Sequence, residues 1–142
     1  MVSSEFAIAL HSMLLLAHDA RKLRSSAELA KNLSVHSVRI RRMLGTLKKA
    51  GLIISKPGKK GGFVVNAAPE KISLDQIYKL TSKTSLKPKC HVCQKTCSIG
   101  ANIEFLINDI FNKADASLLE FLKGITLDML LKRMQNNYIR KL

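Results

Sequence analysis

The chain has 142 residues and a mass of 15.8 kDa, with 46% hydrophobic and 24% charged residues. That length fits one domain or one compact unit with an extension, and the balance excludes wholesale disorder. Lys and Arg number 24 against 10 Asp and Glu, a net charge of +14, which favours a polyanionic partner, nucleic acid ahead of an anionic membrane surface.

No apolar run approaches the roughly 18 residues of a membrane span, and the N-terminus shows no basic patch leading into an apolar core. A chain with no membrane partner is therefore expected, and its crowded cysteines suit a reducing compartment. The charge is concentrated. Residues 1–66 carry 12 basic and 3 acidic residues, and between Glu28 and Glu70 nine basic residues meet no acidic one. Salt-bridge lacing is impossible inside that run, which favours a nucleic-acid surface over a merely solvated one.

In chain order, Phe6, Ile8, Ala9, Leu10, Met13, Leu14, Leu16 and Ala17 recur at helical spacing and predict a buried helix over about 4–19. Ser25 and Glu28 have capping-box spacing and open a second helix over about 26–33. Ser34 or His36 caps a third, along which Ile40, Met43, Leu44 and Leu47 are apolar, with Val38, and Arg39, Arg41, Arg42, Lys48 and Lys49 are basic. Gly51 suits its C-terminal cap. Two β-prone runs, 52–55 and 63–65, then flank the Gly/Pro/Lys-rich segment 56–62, which reads as a hairpin with a basic tip. Ser73 and Gln76 open a short helix to about Leu80, and 81–97 lacks apolar periodicity and reads as a loop. A long helix follows from Ile99 or Ala101, with a stripe of Ile103, Leu106, Ile107, Ile110, Phe111, Ala114, Leu118, Phe121 and Leu122. Gly124 stops it, and Thr126 caps a last helix.

Three helices and a hairpin in this order make a winged helix-turn-helix. The predicted fold is mostly α with a small β-hairpin: a winged helix-turn-helix plus a long C-terminal helix. The expected division is a winged helix-turn-helix DNA-binding unit at 1–66, a short helix and cysteine-containing loop at 67–100, and the long helix with a terminal helix at 101–142.

In a helix-turn-helix the second motif helix enters the major groove, and residues near its start reach base edges. Here those are His36, Ser37, Arg39, Arg41 and Arg42. The arginine fork matches two acceptors on guanine, although each single arginine serves a phosphate equally well. Lys56, Lys59 and Lys60 on the hairpin tip suit the minor groove or the backbone. Ser26, at the start of the second helix, lies where free backbone N–H groups can hold a phosphate.

These stretches carry a resemblance. The segments 6–17, 26–30, 38–44, 47–52, 61–63, 72–78 and 125–127, in this order, resemble the Rrf family of bacterial winged-helix regulators, which includes IscR, NsrR and CymR. The resemblance covers nearly the whole chain. It implies a cytoplasmic homodimer, with a sensor loop within 67–100 and a dimerisation helix within 101–142, that binds double-stranded DNA at an imperfect palindromic operator and usually represses transcription. It also implies that the long helix crosses to the partner subunit through Ile103, Leu106, Ile107, Ile110, Phe111 and Leu118. A stripe that long exceeds what one small winged domain needs.

Cys90, His91, Cys93 and Cys97 sit just before the long helix, where several members of that family place sensory cysteines. Cys97 matches best, because the segment 97–103 resembles the entry to the dimer helix in members that keep a single cysteine there. The gaps between the three cysteines are shorter than in the cluster-binding members. Three readings stay open: redox-active thiols, an iron–sulfur cluster or zinc bound by the three thiolates with His91, and inert loop cysteines. Lys89, Lys95 and His91 favour thiolate when charged.

His11 and His18, seven residues apart in the first helix, read as core or partly buried structural residues rather than ligands. Catalysis has little support: there is no phosphate-cradling glycine loop, no His-Glu-x-x-His and no Gly-x-Ser-x-Gly. The expected function is a dimeric, sequence-specific transcriptional regulator, a repressor, whose DNA affinity is modulated at the cysteine loop by thiol oxidation or metal binding. The alternatives are a small thiol-redox or metal-handling protein and a non-specific basic nucleic-acid-binding module. The second lacks aromatic residues for stacking, with aromatics at 5% and no Trp.

Overall fold

The computed structural model describes residues 4–82, 86–88, 91 and 96–139. Cys90, Cys93, Lys89 and Lys95 lie outside the described residues. The elements are α1 (Ser4–His18), α2 (Ser26–Leu33), α3 (Ser37–Lys49), β1 (Ile53–Lys56), β2 (Gly62–Val65), a 3-10 turn (Pro69–Lys71), α4 (Leu74–Thr81), α5 (Ser98–Lys123) and α6 (Leu127–Ile139).

Local chemistry sets most of the boundaries. Ser25 caps α2 by accepting a hydrogen bond from the Glu28 N–H at 3.1 Å. Ser34 ends that helix in the left-handed conformation, at φ 53°, and its N–H returns to the last turn. Ser34 and Val35 thus form the tight turn between α2 and α3. Gly51, at φ 78°, follows the end of α3, where a residue with a Cβ is disfavoured. Ser73 and Gln76 form the expected capping box at α4. Thr126 Oγ1 accepts from the Met129 N–H at 3.3 Å and opens α6.

β1 and β2 pair antiparallel, from Ile53 opposite Val65 to Lys56 opposite Gly62. The far edge of β2 is covered by Arg24, whose N–H and C=O both bond to Phe63, at 3.2 and 2.9 Å. That ladder ties the hairpin to the segment before α2. Gly62 is required there: a Cβ would stand 2.7 Å from the Arg24 carbonyl oxygen.

One core joins the winged unit to the later helices. Met13, Leu16, Leu29, Ile40, Leu44, Leu47 and Ile53 are buried together with Ile72, Ile77, Tyr78, Leu122 and Leu127. Two backbone bonds clamp the start of α6 onto the start of α4, Leu74 N–H to Ile125 O at 2.9 Å and Leu127 N–H to Ile72 O at 3.0 Å. The chain therefore returns from α5 to the winged unit, and the core spans the expected boundary at residue 66.

Two polar side chains within this core are satisfied. Ser12 donates to the Ile8 carbonyl one turn back, at 2.8 Å. Asp75 accepts from Ser73 and pairs with Lys79 at 3.0 Å. The histidine expectation is corrected: His11 and His18 both lie exposed on α1. The buried stripe of α1 is Ile8, Ala9, Ser12, Met13, Leu16 and Ala17, and positions 11 and 18 fall outside it.

Candidate nucleic-acid interface and thiol loop

The two faces of α3 separate cleanly. Ile40, Met43, Leu44 and Leu47 point into the core, each no more than 4% exposed. At steps of four, three and four residues, Val38, Arg42, Gly45 and Lys49 share the outer face, flanked by Ser37, Arg41 and Lys48. No acidic residue occurs on α3. Arg42, Gly45, Thr46, Lys48 and Lys49 line a shallow, open hollow of about 570 Å³. Nothing lies within 4 Å of the position a Gly45 Cβ would take, so this stretch of the helix is approachable from outside.

The sequence-predicted residues divide by what they touch. Arg41 and Arg42 are exposed on the outer face. Arg39 is engaged inside the molecule. Its Nε donates to Glu5 Oε1 at 2.7 Å, and Nη2 reaches the same oxygen at 2.5 Å and Ser4 Oγ at 2.6 Å. That bridge draws Arg39 towards the start of α1, on the flank of α3. His36 serves the helix itself: its Nδ1 accepts from the Val38 N–H at 3.3 Å. Ser37 is half-buried as the first helical residue.

Ser26 is half-buried at the first position of α2, one residue after the capping Ser25. Lys56, Lys59 and Lys60 are all exposed on the hairpin. Its tip turns at Gly58, φ 106°, and closes with the Gly61 N–H on the Gly58 carbonyl at 3.1 Å. The basic tip and the outer face of α3 thus carry exposed cations, and the Arg24–Phe63 ladder and the packing of α3 on β1 hold the two units together. Sequence reasoning missed two members of the outer face. Val38 was grouped with the apolar stripe yet is 62% exposed, and Gly45 was not singled out.

Helix α5 behaves unlike the others. Over its 26 residues only Leu122 is buried, and Leu118 and Leu119 pack partly on the core. Ile99, Leu106, Ile110 and Phe121 are 72%, 49%, 60% and 69% exposed. Positions 99, 103, 106, 110, 114, 117 and 121 repeat at steps of four and three, the spacing of a helix that packs along another helix. Ile103, Ile107 and Phe111 are half-buried along the same helix.

Cys97 is exposed and occupies the N-terminal cap of α5. The backbone N–H groups of Gly100 and Ile99, at the start of the helix, hold the thiol below its ordinary pKa. Much further along α5, the carboxylate of Asp115 accepts from the Leu86 N–H at 3.0 Å, which pins Leu86 onto the long helix. His91 is exposed. Among the described residues no three His, Cys, Asp or Glu side chains gather as a metal site, and no helix is long and apolar enough to cross a membrane.

Comparison with known proteins agrees with this architecture. The profile of the Rrf2 family, described as an iron-dependent transcriptional regulator, matches residues 2–133. YwnA of Bacillus subtilis, a candidate HTH-type transcriptional regulator, is 27% identical over 119 residues, which span 83% of this chain and 87% of YwnA. The crystal structure of a candidate transcriptional regulator from Lactobacillus plantarum aligns at a TM-score of 0.73 and 26% identity, over 94% of this chain and 97% of that one. CymR, the global cysteine regulator of B. subtilis, shares the fold at a TM-score of 0.69 and 20% identity, over 94% and 97% of the two chains. IscR of T. potens does so at 0.72 and 23%, over 94% and 88%. These are regulators and not enzymes, as the missing catalytic motifs led us to expect. With a winged helix-turn-helix in place and a family profile matched along nearly its whole length, the chain belongs to the Rrf2 family of DNA-binding transcriptional regulators.

Proposed function

We propose that the protein is a homodimeric repressor that binds a palindromic operator and loses or gains affinity through thiol chemistry at Cys97. It works in the cytoplasm, where reduced thiols are the resting state. Residues 1–66 supply the DNA-binding surface, 67–100 the sensor segment, and 101–142 the dimerisation helix and the helix that returns from it. Arg41, Arg42 and the hairpin lysines Lys56, Lys59 and Lys60 meet the duplex, with Ser26 and Ser37 beside phosphates and Arg39 and His36 shaping the start of α3.

The observation that carries this reading is the junction at Cys97. A thiol biased towards thiolate caps the very helix whose apolar stripe lies open to solvent. A second copy of the chain is the self-complementary cover for such a stripe, because a two-fold axis brings the same face from both subunits. Leu106 and Ile110, with half-buried Ile103, Ile107 and Phe111, line that contact, and Leu118 supports it from the core side.

Two half-sites on a duplex stand at a fixed separation. A change at the head of the dimer helix alters the spacing of the two α3 helices and so costs contacts to bases. Peroxide is a suitable oxidant: the Cys97 thiolate sulfur attacks one peroxide oxygen, an S–O bond forms, the O–O bond breaks, and water leaves after protonation. Of the candidate metal ligands, Cys97 and His91 are described, and Cys90 and Cys93 lie outside the described residues.

The test is a fluorescence-anisotropy titration with DNA from upstream of the protein's own gene, at one stated salt concentration. Reduced and peroxide-treated protein are compared, for the wild type and Cys97→Ser. The expected result is at least a tenfold change in Kd, about 1.4 kcal/mol, reversed by reductant and absent in the variant. An equal response in the Cys97→Ser protein overturns the sensor assignment.

A further inference from the structure

Val38 is the one large apolar side chain of α3 that the core does not take. It is 62% exposed, while Ile40, Met43, Leu44 and Leu47 are at most 4% exposed. It is also the second residue of the helix, in the turn that a helix-turn-helix presents to base edges. A β-branched residue there gains nothing for helix propensity over alanine. Its backbone N–H is held by His36 Nδ1 at 3.3 Å, so the direction of its Cα–Cβ bond is set before any ligand arrives.

The surroundings narrow what it can meet. Arg41 and Arg42 stand three and four residues on, and Gly45, two turns along the same face, has no side chain to hold a partner away. The salt bridge to Glu5 draws the neighbouring Arg39 off to the flank and leaves Val38 uncovered on that side. A valyl group offers neither donor nor acceptor. Of the features on the major-groove edge of the four base pairs, the thymine C5-methyl group is the apolar one.

We propose that Val38 reads a thymine methyl group in each half-site of the operator, next to the base or phosphate that Arg42 meets. This deepens the DNA-binding reading above and rests on it. The contact makes Val38 a specificity-determining residue: arginine and lysine contacts supply affinity, and the valine selects thymine over cytosine at one position.

The test starts from the full-length chain. A duplex is selected with it from a random-sequence pool, and each thymine of that duplex is replaced in turn by deoxyuridine, which removes only the methyl group. Anisotropy titrations are run with wild type and Val38→Ala, a substitution at an exposed helical site that leaves the core intact. Burial of one methyl group corresponds to about fourfold in Kd, and to about fifteenfold when both half-sites are changed.

The expected result is one thymine per half-site at which deoxyuridine weakens the wild type by that factor. Val38→Ala, which keeps one methyl group drawn back from the base, should lose most of that discrimination. Sensitivity at no thymine, or the same sensitivity in Val38→Ala, overturns the inference while DNA recognition stands. If the pool yields no preferred sequence, the sequence-specific reading falls and takes the inference with it.

Discussion

Replacing Ile110 with alanine isolates the contribution of the α5 stripe to self-association. Ile110 lies at the middle of the exposed stripe and leaves 60% of its surface in water. Full burial of such a side chain is worth about 1.5–3 kcal/mol, so the part still open to a partner is worth about 1–2 kcal/mol. A two-fold interface counts the change twice. Allowing for the methyl group that alanine retains, Ile110→Ala should weaken the dimer by about 2–3 kcal/mol, or about 30- to 150-fold in Kd. Alanine is the better helix former, so the helix itself is not lost. Sedimentation equilibrium measures the association, circular dichroism confirms the fold, and Asp109→Ala on an exposed neighbouring position serves as the control. A dimer of unchanged affinity in the folded Ile110→Ala protein would refute the assignment of this stripe to the subunit contact.

Other expectations follow from single contacts. Glu5→Gln removes the carboxylate that holds Arg39 and should raise DNA affinity at low salt, with the slope of log K against log salt steeper by up to about 0.9 per new phosphate contact. The exposed pair itself contributes under about 1 kcal/mol to stability, and an unchanged slope would show that Arg39 stays off the duplex. Gly62→Ala forces a Cβ to 2.7 Å from the Arg24 carbonyl oxygen at φ 155°, so urea unfolding should show a loss of about 1–3 kcal/mol, with wild-type stability counting against the close approach. Alkylation of Cys97 by iodoacetamide should reach half its maximal rate at a lower pH than that of free cysteine, because the Gly100 and Ile99 N–H groups favour the thiolate. Asp75 is held below the ordinary carboxylate pKa, chiefly by the Ser73 hydroxyl and then by Lys79. Its contribution to stability is complete above the unfolded value and is lost as pH falls through the lowered folded value. Asp75→Asn should therefore flatten the acid limb of stability against pH; an unaltered limb would place the acid sensitivity elsewhere.

Elements with local signals were legible from the sequence. Ser25, Ser73 and Thr126 mark helix starts by their own hydrogen bonds, and Gly51 and Gly58 mark turns by their positive φ. Those signals lie within three or four residues, which is the range that spacing arguments cover. Arg39 shows the limit. Its partner Glu5 is 34 residues away, and no pattern within α3 announces the pairing. Val38 and the two histidines of α1 fail for a related reason. Hydrophobicity says that a side chain tolerates the core, while its angular position about the helix decides whether the core reaches it. Counting Val38 against the 100° step from Ile40 and Leu44 would have placed it outward. The long helix was legible as an apolar stripe, but only the packed structure separates Leu118, Leu119 and Leu122, which meet their own core, from Ile99, Leu106, Ile110 and Phe121, which do not.

The most direct test of the account is selection of duplexes from a random-sequence pool with the reduced, full-length protein, followed by sequencing of the bound fraction. A two-fold pair of α3 helices predicts enrichment of an inverted repeat whose half-site centres lie one helical turn apart, about 10–10.5 base pairs, or a multiple of it. Its affinity should exceed that of a scrambled duplex by about a thousandfold or more at the same salt. Enrichment of a lone half-site would contradict the dimer, and equal binding to every sequence would contradict specific recognition by α3.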